Sequence, residues 1–135
     1  MPQMVGYPVK VLLAFGETFV QPKVFTATLS STGYPELSAL SGAIRGSEEA
    51  LQWLLDNNFT HLAALDAAID NDEKAQKWLE KYQYTVMLYF ARACNHDTNA
   101  ANWLKENGLD IFLHLAEKIN HFRDNQYFNI YRRKF

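Results

Sequence analysis

The sequence predicts an all-α fold, a short α-solenoid of stacked helical hairpins. Three observations predict it. The tryptophans Trp53, Trp78 and Trp103 stand 25 residues apart. Each is followed by a leucine (Leu54, Leu79, Leu104) and preceded at three residues by an alanine (Ala50, Ala75, Ala100). The register continues upstream of each Trp without a gap, so residues 33–57, 58–82 and 83–107 align as copies of one unit. A fixed period of this length marks a repeat array, in which each unit is one supersecondary element stacked on its neighbours.

Within a unit, Leu37, Leu40, Ala43 and Ile44 recur every three or four residues, which is one face of a first helix. Ala50, Trp53 and Leu54 make one face of a second. A polar turn separates the two: Arg45-Gly46-Ser47, Asp70-Asn71-Asp72, Asn95-His96-Asp97. Ser47, Asp72 and Asp97 stand where an N-cap accepts from the free amides of the next turn. Helices of about ten residues are marginal alone, so stacking must hold them, with the Trp-Leu pairs as a continuous internal seam. Val9 to Leu13 is the best strand candidate, and it fits a first helix equally well.

The end units depart from the pattern, as units with one neighbour do. Residues 8–32 read as an eroded unit in which Leu12, Phe15, Phe19 and Leu29 keep register and Thr28 replaces the Trp. Residues 108–135 read as a cap helix and tail. Leu109, Phe112, Leu115 and Ile119 keep register, and Lys118 stands where the other units have alanine. The whole chain, 1–135, reads as one domain.

Composition is that of a globular protein, 48% hydrophobic and 21% charged. A net charge of −2 and the acidic residues 33–82 argue against nucleic acid, although Arg132, Arg133 and Lys134 form a short basic run in the tail. No apolar stretch approaches a membrane span, and the run from Val11 to Phe15 ends too early for a signal peptide. The lone cysteine, Cys94, excludes an internal disulfide. The expectation is a cytoplasmic protein.

Thr60-His61-Leu62-Ala63-Ala64-Leu65 resembles the opening of an ankyrin first helix. Residues 50–58, Ala-Leu-Gln-Trp-Leu-Leu-Asp-Asn-Asn, resemble its second helix and the following turn. The unit is about eight residues shorter than an ankyrin repeat and lacks its β-turn finger. The chain is similar to short ankyrin-like helical repeats found in small bacterial proteins of unknown function. Such solenoids bind other proteins, so the resemblance implies a protein-binding role without naming a partner.

Repeat register also weighs the residues that could carry chemistry. Cys94 occupies the place of Ile44, Ile69 and Ile119, which makes it a buried small hydrophobe. Asp70-Asn71-Asp72-Glu73 lacks the remaining positions of a calcium loop and occupies a turn-and-cap slot. His114, Glu117 and His121 share one helical face and are the weak metal candidates, without the i, i+4 pair of a zinc helix or a fourth ligand. No phosphate loop or nucleophile elbow appears, so no cofactor is expected.

One feature stands outside the repeat. The fourth and sixth positions of a unit are Glu36 and Ser38, then His61 and Ala63, but become Val86 and Leu88, then Ile111 and Leu113. Read as positions facing water, these four apolar residues need a cover: the C-terminal segment 127–131, a second copy of the chain, or a partner. They are the partner-binding candidates. The leading function from sequence is thus a non-enzymatic protein-interaction module. The alternative is an enzyme, small-ligand or metal-binding protein using His114, Glu117 and His121.

Overall fold

A computed structural model describes the backbone of residues 6–133 and the side chains of residues 6–125. The described residues are helical throughout, without a strand: α1 (Val9–Glu17), α2 (Pro22–Ser31), α3 (Pro35–Ile44), α4 (Glu48–Asp56), α5 (Thr60–Ile69), α6 (Glu73–Lys81), α7 (Thr85–Ala93), α8 (Thr98–Glu106) and α9 (Asp110–Arg133). Neighbouring helices stack as a helical-repeat solenoid. Val9 to Leu13 lies in α1.

Local chemistry sets the boundaries. The Ser47 side chain accepts from the Ala50 amide, Asp72 from those of Lys74 and Ala75, and Asp97 from that of Ala100. Gly46, Asn71 and His96, each at the fourteenth position of its unit, adopt positive φ, as do Gly33, Asn58, Gln83 and Gly108 at the first. Left-handed backbone reverses the chain at both ends of the three hairpins from α3 to α8, and glycine or asparagine supplies it at least cost at five of these seven places.

The odd-numbered helices form the inner row. Each packs on the next, α1 on α3, α3 on α5, α5 on α7 and α7 on α9, and α9 packs back on α1. The row therefore closes into a ring. Among the described residues the even-numbered helices touch only odd ones: α2 lies between α1 and α3, α4 between α3 and α5, α6 between α5 and α7, α8 between α7 and α9. Lys118 Nζ reaches Glu17 Oε1 across the closure at 3.5 Å, and Phe19 meets Phe122 at 5.9 Å between ring centroids. Gly16 suits the approach, because a β carbon there would stand 3.0 Å from Leu115 Cδ2 and that methyl would have to give by a few tenths of an ångström.

The ring encloses one core. Leu12, Leu37, Leu62, Met87 and Phe112 at the fifth position, and Phe15, Leu40, Leu65, Phe90 and Leu115 at the eighth, are at most 2% exposed. Each such side chain contributes roughly 1.5–3 kcal/mol by burial. The Trp-Leu seam is internal only by half. Leu54, Leu79 and Leu104 are 0% exposed, whereas Trp53 is 36% exposed and Trp78 and Trp103 are half-buried. The tryptophans stack outside the core: Trp53 on Phe59, Trp78 on Tyr84, Trp103 on Tyr89.

Of the four partner-binding candidates, Leu88 is corrected and the other three keep part of their surface. Along the inner row the fourth and sixth positions lie towards neighbouring helices. Leu88 is 5% exposed and belongs to the core, while Val86, Ile111 and Leu113 are half-buried against it. His61 and Ala63, at the same places, are buried too. The expectation that Phe128 and Ile130 cover these residues lies outside the described side chains.

Candidate functional site

Two of the openings among the described residues have linings of functional interest. The first lies over α5, between the outer helices α4 and α6. Leu51 and Leu55 form one wall, Trp78, Ala75 and Lys74 the other, and Ala63, Ala64 and Thr60 the floor. Its volume is about 370 Å³. Repeat register explains why it exists here. The floor is set by the seventh position of the inner helix, Ala64 in α5 and Tyr89 in α7. Tyr89 rises from α7 and stacks on Trp103 at 4.2 Å. Alanine at 64 leaves that space empty beside Trp78.

The wall on α4 is equally particular to its unit. Leu55 is 44% exposed, and the equivalent residues are Glu80 and Lys105. Leu51 stands one turn before it on the same face. Lys74, exposed at the rim, is the charged group of the lining. The result is a shallow apolar groove with one cation at its edge. Sequence reasoning missed it. The signal was present in Leu55, apolar where the other units carry charge.

The second opening lies where α9 meets α1. Its volume is about 660 Å³, and His114, Glu117, Lys118, His121, Asn125, Phe19 and Val20 line it. The fold thus brings His114, Glu117 and His121 to one cleft. His121 Nε2 and Asn125 Nδ2 are 3.0 Å apart, and Lys118 is drawn aside by Glu17. Among the described residues no three histidine, cysteine or acidic side chains are placed to hold a metal ion.

Elsewhere the titratable groups serve the fold. Cys94 is 2% exposed, and burial pushes its thiol up, which leaves it uncharged and unreactive. His61 is buried against Tyr84, and desolvation lowers its pKa. Arg123 of α9 donates from Nη1 to the Ile69 carbonyl at 2.6 Å and lies 3.4 Å from Asp70 through Nη2, closing the C-terminal end of α5. Asn95 and Asn120 donate from Nδ2 to the Ala68 and Ala93 carbonyls, each at 3.3 Å, one unit apart. No described helix is long and apolar enough to cross a membrane.

Comparison of the chain with family models, with curated proteins and with solved structures gives no match.

Proposed function

We propose that the chain is a non-enzymatic protein-interaction module that holds an apolar segment of another protein in the groove over α5. The observation that carries this reading is the pairing of exposed Leu55 with the unfilled space above Ala64. Both are departures of one unit from the pattern of its neighbours, and both add apolar surface. Apolar side chains clustered around a concave opening on a rigid scaffold favour a partner's apolar anchor. Lys74 at the rim favours an acidic residue beside that anchor. The ankyrin-like pattern of residues 50–65 agrees with a binding role. The reduced, buried Cys94 suits the cytoplasm, which we assign as its place of action.

The experiment uses substitutions that the repeat itself already accepts. Ala64→Tyr copies the floor of the next unit, and Leu55→Lys copies Lys105. Wild-type and variant proteins are used as affinity baits, and a protein retained by the wild type is then purified and titrated directly. Binding that weakens at least about tenfold in both variants, a change of roughly 1.4 kcal/mol, supports the groove. Equal affinity for all three proteins contradicts it.

A further inference from the structure

The inner ring has five grooves between adjacent helices. Four of them hold an outer helix of nine or ten residues: α2, α4, α6 and α8. The fifth, between α9 and α1, holds none among the described residues. The reason is local. Position 14 of a unit turns the chain back through left-handed backbone at Gly46, Asn71 and His96, but His121 stays helical. Position 15 is a capping residue at Ser47, Asp72 and Asp97, whereas Phe122 has no side-chain oxygen to accept with and lies against Phe19.

The two walls of this groove differ in chemistry. The α1 wall is apolar. Val9, Leu13 and Val20, at positions 2, 6 and 13 of their unit, are all exposed. Position 2 is where Phe59 and Tyr84 receive the Trp of the outer helix before them. So α1 presents to the empty groove the face that elsewhere receives a helix. The α9 wall is polar. Asp110, His114 and Glu117 form one face at spacings of four and three. At the places of His114 and Glu117, α3 has Ala39 and Gly42, and α5 has Ala64 and Ala67. Asp110 and Glu117 are exposed, and neither forms an ion pair with a described residue. Lys118, the cation of the cleft, is held by Glu17. The cleft of about 660 Å³ between the walls leaves room for an incoming side chain.

We propose that the fifth groove docks a short amphipathic helix of another protein, apolar where it meets Val9, Leu13 and Val20 and carrying lysine or arginine where it meets Asp110 and Glu117. This surface is separate from the groove over α5, and the proposal does not depend on that one. The shape of the occupant follows from the four grooves already filled, each by a helix of this size lying against two inner helices. Its charge follows from the α9 wall. An acidic or wholly apolar helix would take two carboxylates out of water without a cation, which is costly. A basic helix pairs them, and the same charges steer it to the groove. The mode is that of an amphipathic helix laid in a groove, read through anchors three and four residues apart.

The test uses the full-length chain and two stapled helical peptides of about ten residues, stapled because so short a helix is marginal alone. Both carry an Ala-x-x-Trp-Leu face, copied from Ala75, Trp78 and Leu79 of α6. One has lysines on its flank and the other glutamates. Each is titrated into the isotope-labelled protein and followed by NMR. The lysine peptide should bind saturably and move the amide signals of Leu13, Val20 and Glu117, while those of Leu55 and Ala64 in the other groove stay in place. The glutamate peptide should move the same signals with an affinity about tenfold or more weaker. Asp110→Lys/Glu117→Lys should reverse the preference, and Leu13→Asp should abolish binding of both. All three residues are exposed, so circular dichroism should show the variants folded as the wild type is. A lysine peptide that does not bind, as when a second copy or a segment of the chain itself fills the groove, overturns the proposal. So do equal affinities for the two peptides, a preference that the charge reversal leaves unmoved, or shifts confined to Leu55 and Ala64.

Discussion

Tyr89 lies flat on Trp103, 4.2 Å between ring centroids and 12° between planes, and one unit earlier the same two places hold Ala64 and Trp78. A single side chain thus decides whether the outer surface of a unit is filled or grooved. Tyr89→Ala should open a second groove over α7 and cost about 1 kcal/mol from lost stacking, with a further loss of buried area. Ala64→Tyr should leave stability unchanged or raise it. Chemical denaturation measures both, and a destabilised Ala64→Tyr protein would show that the space above Ala64 cannot hold the ring.

The Trp-Leu pairs divide their labour. Leu79 is 0% exposed and Trp78 is half-buried. Leu79→Ala should cost about 2–5 kcal/mol through the cavity it leaves. Trp78→Ala removes far more atoms, but from a ring stacked on Tyr84 at the surface, and should cost less than Leu79→Ala. Equilibrium unfolding in urea ranks the two, and the reverse order would place the tryptophan in the core after all.

Asp66 predicts a pH dependence. It is 8% exposed, and burial, reinforced by Asp70 and opposed by Arg123, raises its pKa from 3.8 to about 6. Between those values the folded protein keeps a proton that the unfolded chain has lost. The stability this proton provides is complete below the unfolded value and falls as pH rises through the folded one. Asp66→Asn should remove that slope and raise stability at pH 7 by about 1–3 kcal/mol. Thermal melts of both proteins from pH 4 to pH 7 check this, and parallel curves would exclude Asp66 as the source.

The hairpins were legible because their signals are local and repeated. The cap residues Ser47, Asp72 and Asp97 and the 25-residue spacing each depend on one unit alone. Orientation was less legible. Trp78 and Leu79 are adjacent and both apolar, and only packing shows which one turns inward. Val86, Leu88, Ile111 and Leu113 read as outward because the pattern of one helix does not reveal that a second inner helix lies beside it. The apolar groove was recorded in Leu55 and Ala64, but as departures from the repeat at two positions 9 residues apart, which gain meaning only when α4 and α5 are set side by side. Closure was not legible at all. It joins Glu17 to Lys118 through curvature accumulated over every unit between them, and nothing near either residue announces it.

Closure of the row is the claim on which the rest depends, since it joins α1 to α9 and completes the core that they share. Its most direct measurement is a zero-length cross-link between its two ends. Lys118 Nζ lies 3.5 Å from Glu17 Oε1, so a water-soluble carbodiimide should join the two side chains by an amide within one chain. Mass spectrometry of the digested protein identifies the bond, and Lys118→Arg should remove it. Absence of the Glu17–Lys118 bond, or its formation between chains only, would mean that α1 and α9 lie apart and that the row is open.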